Sequence, residues 1–371
     1  MSDTISIGRK GWIGVAFETS AGAGGTDPIK TIPYTANTLH NVVEVIDDEA
    51  AKGIRERSWG SVAARTRGEG DVSINIDVEN LPYLLIPALG TCMSSGVESG
   101  VYSTTITRKS SNPATTICLT VNDTVETRRY TYGVVNTLEL TFSDGLITAT
   151  AGILSKAPVA STETMDAVTE ETILAYKDAN IYFGDTMAEA ENKAATTTGA
   201  IGLTAFSLTI NNNAEAQYES GSSSPAQISL GQFEVGGNYT LFFEDTTERV
   251  ALEASPGTTR AMCIVVTGAS IGSSSTETIQ ITIPQFHLTD RGVDTAPAGF
   301  VTENPTFVGD YDSTNGSIVV KVTNETGTVA CYTCCTESSS SSSSSSSSFS
   351  SSSSSSSFSS SSSSSSSTST E

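Results

Sequence analysis

The chain contains no run of about eighteen consecutive apolar residues, the length a membrane-spanning helix needs, so no helical span is expected. Histidine is nearly absent: His40 and His287 are the only two, far apart and each inside strand-like sequence. That scarcity argues against a histidine-based triad or a histidine-ligated metal hydrolase, although counting alone leaves a carboxylate-only mechanism open. G-x-S-x-G, a phosphate-binding loop and H-E-x-x-H are also missing. Gly22-Ala-Gly24-Gly25 has no strand-to-helix context and reads as a loop, not a nucleotide cradle. The expectation is a protein without catalytic residues, cofactor or metal.

Basic residues are scarce too. Against 41 Asp and Glu there are 19 Lys and Arg, a formal net charge of -22. Nucleic-acid binding relies on a basic footprint that this balance does not supply, whereas an acidic surface lets a polyanion pass without sticking. The opening Met1-Ser-Asp-Thr-Ile-Ser-Ile-Gly8 lacks the basic and apolar regions of a signal peptide, so synthesis and folding in the cytoplasm are expected.

Of the six cysteines, Cys92, Cys118 and Cys263 stand alone in apolar or small-residue settings and read as buried free thiols. Cys331-Tyr-Thr-Cys334-Cys335 has no second cluster at metal-partner spacing, so free thiols or a disulfide formed under oxidising conditions is the economical account. Asp310-Tyr-Asp312-Ser-Thr-Asn315-Gly316 offers oxygen ligands but misses the EF-hand spacing by one residue and lacks its final Glu; a plain turn is expected.

What the chain has in quantity is alternation. Val72, Ile74, Ile76 and Val78; Ile117, Leu119 and Val121; Leu138, Leu140 and Phe142; Phe206, Leu208 and Ile210; and Ile279, Ile281 and Ile283 each follow the period of two that puts apolar side chains on one face of a strand. Ser143-Asp-Gly145 between two such runs predicts a hairpin. Leu81 to Leu89 predicts a helix, with Asn80 as a cap, Pro82 in the first turn, Pro87 as a possible early stop and Gly90 at its end. A second is expected from Thr247 to Ala254, capped by Asp245 or Thr246 and stopped by Pro256. A strand is expected over Asn180 to Phe183, while Met187 to Ala195 is left open between a short helix and a loop.

The chain also repeats itself. The pattern around Gly68-Glu-Gly-Asp-Val-Ser-Ile-Asn-Ile-Asp-Val78 recurs around Gly231-Gln-Phe-Glu-Val-Gly-Gly-Asn-Tyr-Thr-Leu-Phe-Phe243, an offset of 231 − 68 = 163 residues. Each is preceded by an extended stretch, Leu39 to Ile46 and Phe206 to Ile210, and followed by a predicted helix. A repeat at domain length implies tandem domains, not a solenoid. The expected fold is mainly β (α+β), divided into a first β domain at 1–156, a linker at 157–178, a second β domain at 179–326, and a cysteine cluster with a poly-serine tail at 327–371. Ser338 to Ser367 is serine throughout except Phe349 and Phe358, a composition expected to be disordered.

Several stretches resemble the tail tube (major tail) proteins of long-tailed, non-contractile phages: Gly8-Arg-Lys-Gly-Trp-Ile-Gly-Val-Ala-Phe-Glu-Thr-Ser20, Ile32-Pro-Tyr-Thr-Ala-Asn37, Ala50-Ala-Lys-Gly-Ile-Arg-Glu-Arg57, Gly68-Glu-Gly-Asp71, Val134 to Gly145, Ile279 to Phe286, Thr306 to Asp310 and Ile318 to Asn324. The resemblance covers most of residues 8 to 325 and ends near Thr326. It implies a structural virion protein whose β-sandwich domains join edge to edge into a β-barrel-walled ring. The rings would stack into the tube that holds the tape-measure protein, meets tail terminator and baseplate proteins, and conducts DNA without binding it specifically. Six tube domains around the axis, with two per chain, would make the ring a homotrimer. Asp71, Asn75, Asp77 and Glu79 alternate with apolar residues and are candidates for the lumen face, an exterior face being the open alternative. Glu49, Lys52, Ile54, Arg55, Glu56 and Arg57 are candidates for an inter-ring loop, a plain solvated loop being the alternative. An extracellular adhesin or surface-layer protein and a capsid decoration protein remain as competing functions.

Overall fold

The computed structural model describes residues 10–24, 30–50, 60–143, 145–165, 171–243, 247–253, 260–295 and 299–325. Lys52, Ile54, Arg55, Glu56, Arg57, the Cys331–Cys335 cluster and the serine tail lie outside them. In chain order the first half comprises β1 (Trp12–Phe17), β2 (Lys30–Ile32), β3 (Ala36–Asn37), β4 (His40–Asp47), β5 (Ser61–Asn75), α1 (Pro82–Leu89), β6 (Gly90–Glu98), β7 (Val101–Arg108), β8 (Ile117–Asn122), β9 (Thr127–Phe142), β10 (Thr148–Ser155) and β11 (Val159–Ala160). The second comprises β12 (Ala179–Gly184), α2 (Met187–Thr196), β13 (Leu203–Asn211), β14 (Glu215–Gln217), β15 (Gln227–Ser229), β16 (Glu234–Phe242), α3 (Thr247–Glu253), β17 (Arg260–Ile271), β18 (Ser275–Asp294), β19 (Thr302–Gly309) and β20 (Val319–Asn324). The fold is mainly β, every strand pair is antiparallel, and the described strands of one chain close no barrel.

Two long strands organise the layers. The beginning of β9 pairs with β8, and its end pairs with β10. The strand therefore passes from the layer β2-β1-β8-β9-β11 into the layer β3-β5-β10-β9. In the second half β18 does the same, pairing with β17 and β20 near its start and with β19 near its end. The resulting layers are β12-β17-β18-β20 and β13-β16-β19-β18. Ile13, Val15 and Leu119 from one layer share a core cluster with Val72, Ile74, Leu138, Leu140 and Ala149 from the other, which is the inside of a β-sandwich.

The pairing order of the first half thus recurs in the second, with β5 matching β16, β10 matching β19 and β9 matching β18. The two glycines 163 residues apart (231 − 68) both sit where a side chain does not fit: a Cβ on Gly68 would meet Ser155 and Tyr130, and one on Gly231 would meet the backbone of Asn213. One expected equivalence needs correction. Leu39 to Ile46 is not the counterpart of Phe206 to Ile210. β4 pairs with the start of β5, whereas β13 pairs with the stretch of β16 that corresponds to the end of β5, where β3 lies.

The predicted hairpin forms, with Thr141 opposite Thr148. Residues 82–89 form a helix ended by Gly90 at φ 102°, a left-handed cap that glycine adopts without strain. Pro87 does not stop it, because every residue from Pro82 to Leu89 is buried and packing outweighs the lost backbone bond. Asn80 is not its N-terminal cap; that place falls to Leu81, without a side-chain bond. Met187 to Thr196 is a helix, started by Thr186, whose hydroxyl accepts from the Glu189 amide at 3.3 Å while the Glu189 carboxylate accepts from the Asp185 amide at 3.0 Å. No described helix is long and apolar enough to cross a membrane.

Candidate functional site

The face of the β5-β10-β9-β13-β16-β19 layer turned away from the core is built by the same alternation that fills the sandwich. Leu138, Leu140 and Phe142 are buried, so Thr137, Glu139 and Thr141 point the other way. Ser207, Thr209 and Asn211 do so on β13, and Glu234, Asn238 and Thr240 on β16. The segments 71–75, 137–142, 148–152, 203–211, 234–242 and 302–309 contain no lysine or arginine at all. Their outward side chains are mostly threonine, serine and asparagine, with Asp71, Glu139 and Glu234 among them and exposed Phe242 and Val308 as the large apolar ones. The polar ones bond to one another across strands: Ser73 and Thr150 hydroxyls at 3.0 Å, and the Thr240 hydroxyl donating to Asn304 at 2.6 Å. Arg128, Arg129, Arg260 and Lys321 lie in the other layer, while Arg65 and Arg67 on the arm end of β5 and Arg291 on the end of β18 border this one.

The four residues expected to line one acidic face do not stay together. Asp71 and Asn75 project from β5, but the strand ends at Asn75, and Asp77 and Glu79 are buried in the turn before α1. Asp77 holds that turn: one carboxylate oxygen accepts from the Glu79 amide at 3.0 Å and the Asn80 amide at 2.6 Å, the other from the Asn80 side chain at 2.7 Å. Burial pushes the Asp77 carboxyl above its ordinary value against the pull of those bonds. Glu139, Thr141, Thr209 and Glu234 were missed because their strands were read only for their buried residues. The alternate positions carried the signal.

The two halves meet in both layers. β9 pairs with β13 from Phe142 opposite Phe206 to Thr137 opposite Asn211. In the other layer the hairpin β6-β7 reaches out of the first half, and β7 pairs with β20 from Tyr102 opposite Asn324 to Thr107 opposite Val319. At its tip Glu98 accepts from the Ser273 hydroxyl at 2.5 Å and the Ser274 amide at 3.3 Å in the β17-β18 turn. These serine bonds draw the Glu98 carboxyl down to about 2.

Beyond the sandwich, β4 and the start of β5 form an arm. Val43, Val45, Ile46 and Val62 on it are 42%, 53%, 58% and 71% exposed, an apolar surface open to solvent. Its base is held by the second half: the Thr66 amide donates to the Ser223 carbonyl at 2.7 Å, and Arg65 lies 4.8 Å over the Tyr218 ring. A groove of about 850 Å³ opens there, lined by His40, Arg67, Glu69, Asn136, Glu215 and Tyr218 among others. Glu49, near the end of the arm, is exposed.

The remaining candidates resolve as structure. Asp312 closes a turn, accepting from the amides of Thr314 at 3.0 Å and Asn315 at 2.7 Å, and Asp310 bonds to His287 at 2.8 Å. Cys118 and Cys263 are buried free thiols, but Cys92 is disulfide-bonded and not the free thiol expected of it. The apolar neighbours that suggested a free thiol say nothing about a cysteine distant in the chain.

Against known families, a model described as phage tail tube protein matches residues 8–312. No curated protein matches the chain.

Proposed function

The chain belongs to the phage tail tube protein family, a structural and not an enzymatic family whose members assemble into the tube of the virion tail, and we propose that this chain forms that tube as stacked rings conducting DNA during ejection. Each chain contributes two tandem wall segments, one from 1–156 and one from 179–326, with 157–178 linking them. The lumen face is the part of the β5-β10-β9-β13-β16-β19 layer carried by 71–75, 137–142, 148–152, 203–211, 234–242 and 302–309, which hold no lysine or arginine, with Arg65 and Arg67 at its rim on the arm. That face is the observation on which the reading rests. A wall of hydroxyls, amides and a few carboxylates offers phosphates no counterion to hold, so DNA slides along it.

In this reading Asp71, Asn75, Glu139 and Glu234 face the channel, and Asp77 and Glu79 belong to the turn beneath it. The β4-β5 arm, with Glu49 and the residues Lys52, Ile54, Arg55, Glu56 and Arg57 beyond it, docks on the next ring. Exposed Val45, Ile46 and Val62 supply apolar area for that contact. The tape-measure protein occupies the channel before DNA, terminator and baseplate proteins cap the ends, and the chain is made in the host cytoplasm.

Electron microscopy of the purified protein tests the assembly: hollow stacked rings are expected, whereas monodisperse single chains would favour an adhesin or a capsid decoration protein. Phage carrying Glu139→Lys and Glu234→Lys test the lumen. They should build tails of normal length but release DNA more slowly, and unchanged release would move this face out of the channel.

A further inference from the structure

Resting on the ring reading above, we infer that neighbouring chains are joined by a strand pair between the end of β18 and the segment 34–36 of the next copy, with His287 opposite Ala36. The inference comes from a joint that the chain already makes with itself.

β9 has two edges. Over its later stretch β10 takes the first edge and β13 the second, and the pairing with β13 is the joint between the halves. β18 is the counterpart of β9. Over its later stretch β19 takes the first edge, while among the described residues no strand pairs with the other edge from His287 to Asp294. A row of unpaired backbone groups at a sheet edge is a template for another strand. The complementary edge is also open: β3 pairs with β5 on one side only, where its counterpart β13 has β16 on one side and β9 on the other.

The register follows from residues already placed. Leu140 lies opposite Ala149, which lies opposite Ile74. Leu288 lies opposite Phe307, which lies opposite Gly237. Ile74 and Gly237 are 237 − 74 = 163 residues apart, the offset of the two anchoring glycines. Leu288 therefore stands where Leu140 stands. Leu140 faces Leu208, and Leu208 faces Gly237. Thr150 lies opposite both Ser73 and Glu139, and Val308 opposite both Gly236 and His287, so His287 stands where Glu139 stands, and Glu139 faces Thr209. Ala36 lies opposite Ser73, the counterpart of Gly236, so Ala36 is the counterpart of Thr209, and in the antiparallel ladder it meets His287.

The joint between chains is not a copy of the joint within them. Inside the chain the β6-β7 hairpin adds a ladder in the second layer, and among the described residues no strand pair stands between α3 and β17 as its counterpart. The interface partner is a second copy of this chain, held on the lumen side by one ladder where the internal joint has two.

Hydrogen exchange on the native chain before and after polymerisation reads this directly. Amides of residues 34–36 and 287–289 should become protected on assembly. A second measurement fixes the register: in assembled tubes Ala36→Cys with His287→Cys should give disulfide-linked chains on a non-reducing gel, and neither single variant should. Asn37→Cys with His287→Cys, which places the two thiols on opposite faces, should not. Polymer without protection at both segments, or with cross-linking only in the mismatched pair, overturns this joint and leaves the tube reading standing. Wild-type protein that never polymerises overturns both.

Discussion

Phe142 at the end of β9 and Phe206 on β13 are register partners, and their rings meet edge to face with centroids 5.5 Å apart at 69°. The contact carries the core of the first half into the second. Phe206 stacks in turn on Phe307 at 6.0 Å, and both halves contribute to one buried cluster. Phe206→Ala should therefore cost about 3–5 kcal/mol, the range for a large aromatic removed from a core. Denaturant titration should show a single transition shifted to lower concentration. Two transitions, with only one shifted, would mean that the halves fold independently despite the shared sheet.

Asn212 is a second tie across the same joint. Its buried side-chain amide donates to the Ala88 carbonyl at 2.8 Å and the Val135 carbonyl at 2.9 Å, linking the end of α1 and β9 to the second half. Asn212→Ala leaves both acceptors in a dry site and should cost about 1–3 kcal/mol. Asn212→Asp should be worse at neutral pH, since it turns a carboxylate toward two carbonyl oxygens. Thermal melts of the two variants give the order; an Asp variant as stable as the Ala variant would place water at the site.

The strands were legible because burial on one face leaves a period of two in the sequence, and Leu138, Leu140 and Phe142 sit inside as that pattern demands. The same reasoning failed at Asp77 and Glu79. Alternation continues through Ile76 and Val78, but the backbone has already left the sheet, so the polar residues between them turn inward to hold α1. Nothing in the local sequence marks Asn75 as the last strand residue. The pairing of β4 was likewise misplaced because β3 is only two residues long and leaves no periodic signal, whereas the apolar residues of β4 mark an extended stretch, and only the partner strand decides which is the counterpart of β13. Asn212 and Glu98 were invisible for a simpler reason: their partners are 77 to 176 residues away.

The Glu98 contact predicts an acid-sensitive local opening. The carboxyl is drawn down to about 2 from an ordinary 4.5, first by the Ser273 hydroxyl, then by Ser275 and the Ser274 amide. A carboxyl lowered in the fold contributes stability above its unfolded value, and that contribution is lost as pH falls toward and through about 2. Amide exchange in the turn at 272–275 and in the hairpin tip should accelerate across that window. Glu98→Gln should exchange faster at neutral pH and lose this component of the pH dependence. Equal pH dependence in the variant and the native chain would assign the opening to other carboxylates.

The number of chains per ring follows from how many wall segments each chain supplies. If both halves line the channel, three chains complete a ring of six segments with alternating joints: β9 to β13 inside a chain, β18 to residues 34–36 between chains. Covalent linkage raises the effective concentration of the internal pair, so only half of the lateral joints depend on encounter. That division also explains how the two joints can differ, since the hairpin β6-β7 reinforces one type alone. The expected result is threefold symmetry in end-on class averages, with a weaker sixfold component from the matched layers, and a mass of three chains for isolated rings. Six chains in strict sixfold symmetry would put the second half outside the wall as a decoration. In that case β13 could not be part of the channel, and its ladder with β9 would have to open when the ring forms.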